Sequence, residues 1–244
     1  MFLYWFLLFC GFMILIWAIN SACDLSIVKY IPYQTNLSEV TEVESFLPLQ
    51  ECTQYCEKIM RSGYLNDNPL CEAFNNSRGM IIKFTLNEHL KQNFHDANLG
   101  FLYELFDRMK DEGCNAFVCN VLYIPTCNSS NDFSVERHHD TTMNICEKTF
   151  PYRVFLPKCV NVLYLQLSNV CTGGELELFD FHGFEDEPIQ TIVPEKGKMV
   201  RFRGELEHGV RKYTSFDNTP RISFVLENYH LESSYLEKDM FIIE

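Results

Sequence analysis

The stretch NVLYLQLSNVCTGGELELF, residues 161–179, decides the fold class of this 244-residue chain. Its two ends, residues 161–167 and 175–179, are short runs rich in Val, Leu, Tyr and Phe, which favour β-strands. Gly173-Gly174 lies between them and predicts a turn that closes a hairpin. The stretch therefore predicts strands in a sheet rather than a helix.

Strands of the same kind extend outward from this stretch on both sides. Residues 116–123, 198–202 and 221–227 are short runs of the same apolar residue types, and clusters of Gly, Pro, Asn and Asp separate them. Many short strands in series are typical of a jelly roll or a barrel.

Two helices are predicted ahead of the strands. Between Leu49 and Arg61, two cysteines and an isoleucine recur at helical spacing, which predicts a helix with one buried stripe. A second helix is predicted from near Asn98 to a stop at Gly113. Its buried face is predicted to comprise Leu102, Leu105, Phe106 and Met109. We therefore expect an α+β fold, mainly β, with a jelly-roll core and supporting N-terminal helices.

Composition and charge exclude several classes of protein. Hydrophobic residues make up 47% and charged residues 22%, which excludes whole-chain disorder, collagen and coiled coils. The formal net charge is −13, and no basic run could track a phosphate backbone. Nucleic acid is therefore not expected as a partner.

The N-terminus predicts entry into the secretory pathway. Residues 2–19 are apolar and uncharged, about the length that crosses a membrane. Residues 1–22 thus read as a signal anchor, which the length favours, or as a signal peptide cleaved near Ser21-Ala22. A buried core helix is the remaining alternative. Residues 23–42 are expected to form a stalk, and residues 43–244 a single domain large enough for catalysis.

The cysteines and the N-glycosylation sequons also indicate the secretory pathway. The chain has 11 cysteines, and acceptor sequons begin at Asn36, Asn75 and Asn128. We expect several disulfides, whose pairing the sequence does not give, and a glycoprotein in the endoplasmic reticulum, membrane-anchored or secreted. A zinc site is the competing interpretation of the cysteines, but no second pair at finger or ribbon spacing supports it.

A metal-binding pattern lies inside the strand half. On an extended strand, His138 and Asp140 point to the same face and offer two ligands to one metal. His208 can supply a third ligand, and two histidines with one carboxylate leave positions open, as in non-haem iron oxygenases. His139 could replace His138, but only His138 has the two-residue spacing to Asp140.

A fixed cation for a cosubstrate is predicted downstream of His208. A 2-oxo acid that chelates the metal through its carboxylate and keto oxygen needs a cation for a distant second carboxylate. Arg221 can supply a two-pronged donor for it. Plainer interpretations stay open: His208 as a half-exposed strand histidine, Arg221 as a surface ion-pair residue, and Tyr164 as packing.

Taken in order, these motifs resemble the 2-oxoglutarate- and Fe(II)-dependent dioxygenases, in the prolyl 4-hydroxylase and lysyl hydroxylase-like branch. The resemblance covers roughly residues 43–229. It is carried by the His138, Asp140, His208 and Arg221 set and by Phe46-Leu47-Pro48, residues 120–123, Tyr164-Leu165 and Gly173-Gly174-Glu175. The resemblance implies a double-stranded β-helix with the metal at its open end.

The resemblance also implies residue roles and cofactors. His138, Asp140 and His208 would bind Fe(II), and Arg221 would bind the 5-carboxylate of 2-oxoglutarate. Tyr164 would hydrogen-bond the cosubstrate, and Tyr123 would lie near the pocket mouth. O2 and ascorbate complete the implied cofactor set.

One departure from the family concerns spacing. Arg221 follows His208 by 13 residues, whereas nine or ten are usual, so an insertion is expected between Thr214 and Pro220. If the turn does not accommodate that insertion, Arg221 does not reach the position at which it would bind the cosubstrate.

The expected activity is hydroxylation of a protein side chain, proline first and lysine second, in a secretory-pathway polypeptide, with release of succinate and CO2. Two other functions remain as alternatives. One is a non-catalytic jelly-roll module that binds a glycan, peptide or metal. The other is an oxygenase acting on a lipid or another small molecule near the membrane.

Overall fold

A computed structural model describes residues 29–31, 40–65, 77–126, 131–143, 153–180, 187–237 and 239–244. The predicted anchor 1–22, most of the predicted stalk and the three sequon asparagines lie outside these residues. None of the helices in the described ranges is long and apolar enough to cross a membrane.

The chain divides into two compact units. The smaller unit comprises Met1–Ile31 and Ile145–Val154, and the larger comprises Pro32–Asn144 and Phe155–Glu244. β1 (Lys29–Ile31) pairs with β6 (Arg153–Phe155) in a separate two-stranded sheet. All residues of the candidate site belong to the larger unit.

A seven-stranded antiparallel sheet forms the frame of the larger unit, in the order β15-β3-β4-β14-β7-β11-β2. Its strands, in chain order, are β2 (Val40–Val43), β3 (Arg78–Thr85), β4 (Ala116–Ile124), β7 (Cys159–Gln166), β11 (Met199–Arg203), β14 (Arg221–Tyr229) and β15 (Phe241–Ile243). The strands predicted at 116–123, 161–167, 198–202 and 221–227 are confirmed within about two residues of each end.

A smaller antiparallel sheet follows the order β10-β9-β12-β5, and a two-stranded ladder joins β13 to β8. These strands are β5 (Phe133–His138), β8 (Cys171–Thr172), β9 (Leu176–Phe179), β10 (Gln190–Ile192), β12 (Glu207–Arg211) and β13 (Thr214–Ser215). The strand predicted at 175–179 is confirmed as β9. Gly173 and Gly174, at φ 75° and 81°, connect β8 to β9. The predicted hairpin at these glycines is wrong, because β7 and β9 belong to different sheets and β8 pairs with β13.

Among the described residues, three helices precede most of the strands: α1 (Leu49–Arg61), α2 (Leu90–Asp96) and α3 (Gly100–Met109). The first prediction is confirmed to the residue, and Cys52, Cys56 and Ile59 are buried. The predicted stop at Gly113 is wrong, since α3 ends at Met109. Lys110 turns to ψ 148° while its N–H still donates to Phe106, and the next N–H donates to Asn228 instead of continuing the helix.

The large sheet separates two apolar cores because successive side chains of a strand point to opposite faces. Phe117, Cys119 and Val121 of β4 lie in a core that also contains the buried faces of the three helices. Leu122 and Ile124, on the other face of β4, lie in a second core with Leu176, Leu178 and Val210 of the small sheet. The fold is therefore mainly β, with two facing sheets and a helical layer, as predicted.

The cysteines of the described ranges are free thiols: Cys52, Cys56, Cys114, Cys119, Cys159 and Cys171. The disulfides expected from the sequence are therefore not found in this part of the chain, and the other five cysteines lie outside it. Burial raises the pKa of Cys56 and of Cys114 to about 12, so both stay protonated and unreactive.

Gly197 fixes the start of α1, and we expect its replacement to destabilise the fold. Its φ is +87°, and an added Cβ would lie 2.4 Å from the carbonyl oxygen of Leu47. Gly63 has a similar φ of +78° but nothing within 4 Å. We expect Gly197→Ala to lower the free energy of unfolding by about 3 kcal/mol and Gly63→Ala by about 1 kcal/mol. Urea denaturation measures both, and equal losses would contradict the steric argument.

Candidate active site

His138 and His208 face each other across two neighbouring strands. His138 is the last residue of β5, and His208 is its register partner on β12. Their ring centroids are 4.4 Å apart. Asp140 lies two residues beyond the end of β5, so the prediction that the whole His-x-Asp pair lies on a strand is wrong. The irregular chain after His138 nevertheless places the Asp140 carboxylate beside both rings.

The three side chains form one group of potential metal ligands. Asp140 Oδ1 lies 3.6 Å from His138 Nε2, and Asp140 Oδ2 lies 3.5 Å from His208 Nε2. One donor atom from each of the three residues lies within 4.8 Å of the others. Within the described residues, His138, Asp140 and His208 are the members of this group, and His139 is not among them. The donor set suits a divalent transition metal.

Backbone carbonyls set the tautomer of both histidines. His138 Nδ1 lies 2.8 Å from the carbonyl oxygen of Glu136, and His208 Nδ1 lies 3.2 Å from that of Leu206. Because a carbonyl oxygen can only accept, each Nδ1 carries the proton. Each Nε2 therefore keeps its lone pair for a metal, and the second hydrogen bond orients the ring.

The protonation states of His208 and Asp140 favour metal binding at neutral pH, whereas the raised pKa of His138 works against it. Burial lowers the pKa of His208 to about 4. Burial works against the charged form of Asp140, but the neighbouring His208 and His138 lower its pKa overall. For His138, burial lowers the pKa, and the hydrogen bond and charge of Asp140 outweigh it, so the pKa rises. Metal binding requires neutral imidazoles and an ionised carboxylate.

A buried carboxylate holds the segment that follows Asp140. Glu227 on β14 is 2% exposed, and its Oε1 accepts a 2.9 Å hydrogen bond from the Thr142 hydroxyl. The Tyr229 hydroxyl donates to Oε2 at 2.5 Å. Burial, and then the charge of Asp140, raises the pKa of Glu227 well above its usual value. Sequence reasoning missed this contact because Thr142 and Glu227 are 85 residues apart.

Arg221 lines the same cavity as the three ligand residues. The cavity walls comprise Asn120, Leu122, Val135, His138, Asp140, Val162, Leu176, His208, Val210, Arg221, Ser223 and Val225. Arg221 begins β14, whereas Glu227, which contacts the Asp140 segment, lies near its other end. Arg221 and the ligand group therefore lie toward opposite ends of the cavity. The 13-residue interval to His208 does not remove Arg221 from the cavity.

Several buried polar atoms of the cavity wall have no hydrogen-bond partner among the described residues. They are Arg221 Nε and Nη1, the hydroxyls of Tyr164 and Ser223, and Asn120 Oδ1. Arg221 is 1% exposed, and burial lowers its pKa. Tyr164 and Glu175 interact electrostatically with the guanidinium, but two of its buried donors, Nε and Nη1, are left without an acceptor, which is unfavourable. This group of donors therefore fits a carboxylate ligand that reaches into the cavity.

The structure separates the two predicted tyrosines. The Tyr164 ring is buried and lies 5.1 Å from the guanidinium carbon of Arg221. Tyr123 packs against the helical core on the other face of the large sheet. Strand alternation is the reason: Arg221 is paired with Ile124, and Tyr123 with Ile222. The prediction of Tyr123 near the pocket is therefore corrected.

Two polar residues of the cavity wall were missing from the predicted set. Ser223 lies two residues after Arg221 on β14, so it faces the same side of the sheet. Asn120 lies two residues before Leu122, another cavity residue, on β4. A two-residue periodicity from Arg221 would have identified Ser223, but the face of β4 depends on a pairing that the sequence does not give.

We expect the metal-free protein to lose stability between about pH 6.5 and pH 4. Unfolded histidine has a pKa of about 6.5, and His208 in the fold has a pKa of about 4, so the unfolded state binds a proton first as the pH falls. The loss is about 3 kcal/mol for His208, while the raised pKa of His138 acts in the opposite sense.

Urea denaturation of chelator-treated wild type and His208→Gln across this range measures the effect. The variant should lack most of the decline. Parallel pH profiles for the two proteins would contradict the assignment to His208.

A comparison with known protein families identifies the same part of the chain. Residues 125–226 match the family model of the 2OG-Fe(II) oxygenase superfamily, and this segment contains His138, Asp140, His208, Tyr164 and Arg221. A search of curated proteins found no match.

Solved structures with a similar chain trace include three proteins. IDO from Bacillus thuringiensis is 13% identical, with a TM-score of 0.50 over 80% of this chain and 94% of that chain. A prolyl-4-hydroxylase from Pseudomonas putida is 20% identical, with a TM-score of 0.48 over 80% and 94%. A prolyl hydroxylase from Trichoplax adhaerens, solved with a hypoxia inducible factor peptide fragment, is 15% identical, with a TM-score of 0.44 over 87% and 92%. At these identities the likeness to the Bacillus structure concerns the fold alone.

Proposed function

We propose that this chain is a 2-oxoglutarate- and Fe(II)-dependent dioxygenase that hydroxylates a prolyl side chain, or failing that a lysyl side chain, of a protein substrate. The match of residues 125–226 to the family model of the 2OG-Fe(II) oxygenase superfamily supports this proposal. The observation that carries the proposal is the single cavity that holds both a histidine–aspartate–histidine group and a buried arginine with unpartnered donors.

The ligand group fits Fe(II). His138 and His208 would bind it through Nε2, and Asp140 through a carboxylate oxygen. When bound, Fe(II) would couple two reactions that use O2. One is the oxidative decarboxylation of 2-oxoglutarate, which yields succinate and CO2, and the other is the hydroxylation of the substrate. The chain holds the two imidazoles in place through Glu136 and Leu206, and it holds the Asp140 segment through Glu227.

The far end of the cavity fits the distal carboxylate of 2-oxoglutarate. Arg221 would donate from Nε and Nη1, and the Tyr164 hydroxyl would add a third hydrogen bond. Val135, Val162, Leu176 and Val210 line the wall between the two ends and exclude water. In this apolar setting, the charge of Arg221 is screened little and selects an anion.

A direct test follows 2-oxoglutarate binding under anaerobic conditions. Titration into the Fe(II)-loaded protein should produce a visible metal-to-ligand charge-transfer band. The band should disappear in His208→Ala and weaken in Arg221→Ala. A folded, metal-loaded wild type without the band would lack the cosubstrate site, and the binding-module function would replace the proposed one.

The substrate class needs a second test. We propose a protein side chain because the ordered motifs resemble the prolyl and lysyl hydroxylase-like branch. Peptides rich in Pro or Lys, incubated with Fe(II), 2-oxoglutarate, O2 and ascorbate, should gain one oxygen atom by mass spectrometry. If only lipids or amino acids stimulated succinate release, the small-molecule alternative would be correct.

We also propose that the protein works in the secretory pathway, attached to the membrane through residues 1–22 or secreted. The apolar run at residues 2–19 and the sequons at Asn36, Asn75 and Asn128 support this location. Full-length protein expressed in eukaryotic cells should then lose mass on glycosidase treatment, and an unchanged mass would argue against luminal exposure.

A further inference from the structure

The residues between β12 and β14 include the insertion that separates His208 from Arg221. Thr214 and Ser215 form β13 and pair with Thr172 and Cys171 of β8. The Phe216 N–H donates to the carbonyl oxygen of Val170 at 3.2 Å, and Asn218 turns the chain at φ 58°. Residues 214–220, called the strap below, are therefore a paired segment rather than a loose loop.

Buried hydrogen bonds fasten the strap to its surroundings. Tyr213 is fully buried, and its hydroxyl accepts from the Ser168 N–H at 3.1 Å and donates to the carbonyl oxygen of Thr219 at 3.0 Å. The Ser215 hydroxyl donates to the same carbonyl at 2.9 Å. The Ser215 N–H donates to the Thr126 hydroxyl at 3.0 Å. The last residues of the strap are thus tied to its first residues and to Ser168.

The fastened end of the strap leads straight into Arg221. The Gln166 amide donates to the carbonyl oxygen of Pro220 at 3.3 Å. A Cβ on Gly174 would lie 2.9 Å from Tyr213 Cδ2 and 3.6 Å from Arg221 Cδ. The Tyr213 ring and the Arg221 stem therefore both pack against the same side of Gly174, which leaves the stem little room to move.

We propose that the strap sets where the Arg221 guanidinium lies, with Tyr213 as its positioning residue, and thereby selects the chain length of the 2-oxo dicarboxylate that the cavity accepts. This inference rests on the proposed function. The ligand group binds one end of such a molecule and Arg221 binds the other, so the distance between them must match the carbon chain. A strap that gave way would let Arg221 recede and would favour a longer diacid.

The test compares dissociation constants of three diacids for the Fe(II)-loaded, anaerobic protein: oxaloacetate, 2-oxoglutarate and 2-oxoadipate, in order of increasing length. We expect Tyr213→Phe, which removes only the hydroxyl, to weaken 2-oxoglutarate binding about 10-fold. Its preference for 2-oxoglutarate over 2-oxoadipate should fall by a similar factor, and its Fe(II) affinity should not change. Ser215→Ala should shift the preference in the same direction by less.

Tyr55→Phe is the matched control. The Tyr55 hydroxyl also donates to a protein oxygen, Glu104 Oε2 at 3.2 Å, but it lies in the helical core. This variant should keep the wild-type preference and the wild-type affinities.

Different failures separate the strap from the proposed function. Wild-type diacid preference in both Tyr213→Phe and Ser215→Ala would overturn the inference, as would an equal loss for all three diacids. If Tyr213→Phe does not fold, Ser215→Ala carries the test alone. A wild type that binds Fe(II) but none of the diacids would overturn the proposed function instead.

Discussion

Replacing His208 with alanine removes tight divalent-metal binding and, with it, all 2-oxoglutarate turnover. The His208 ring is buried and already oriented by Leu206, so no water or neighbouring side chain replaces its Nε2 at the same position. Losing a residue that merely orients a metal ligand typically costs about 10- to 100-fold in metal affinity, and losing the ligand itself should exceed about 100-fold. Calorimetric titration with Fe(II) or Co(II) under anaerobic conditions measures this loss.

The matched control for this variant is His89→Ala. The His89 side chain is 69% exposed at the start of α2, so the variant should bind metal like the wild type. Retention of wild-type metal affinity in His208→Ala would show that His138 and Asp140 suffice, or that the metal lies elsewhere.

Replacing Arg221 with leucine weakens 2-oxoglutarate binding by at least about 30-fold and leaves the metal affinity unchanged. The side chain is fully buried, and its Nε and Nη1 have no protein partner in the described chain, so a bound carboxylate is their natural acceptor. Removing one member of a buried, hydrogen-bonded charge pair costs about 2–5 kcal/mol, which corresponds to about 30-fold or more. Titration of the metal-loaded protein under anaerobic conditions measures the change.

Arg221→Lys distinguishes geometry from charge. Lysine keeps the charge but loses the planar fork, so we expect most of the affinity loss to remain. The exposed Arg61→Lys is the control, since the Arg61 side chain is 81% exposed and pairs with Glu57 one turn earlier. Wild-type affinity in Arg221→Lys would mean that a point charge is sufficient.

The sequence predicted the strands with strong local signals but not their partners. Residues 116–123 and 221–227 are apolar runs between turn residues, so local composition identified both. Their alignment, with Arg221 opposite Ile124, is a contact across about a hundred residues that no local pattern contains. The misplacement of Tyr123 follows from this, because the face of a strand residue is decided by pairing and packing.

Short elements were missed for a different reason. α2 has seven residues and β12 has five, so each repeats its pattern of buried and exposed positions only about twice, too few times to stand out in the sequence. β12 was inferred only through His208, whose chemistry stood out against its surroundings. The candidate site was more predictable than the fold around it, because ligand residues are recognised by type and spacing, whereas strand order depends on the whole chain.

The pairing of β5 with β12 would give a bound metal ion such as the proposed Fe(II) a second role. Within the described chain, β5 lies at the edge of the small sheet, and its ladder with β12 shifts register twice between His208 and Arg211. An ion held by both histidines would join these two strands as a clasp. A ligand that binds only the native state lowers the fraction of molecules that are unfolded. It therefore slows every process that starts from the unfolded chain, including digestion by proteases. Iron supply would then govern how long each molecule survives as well as how fast it works.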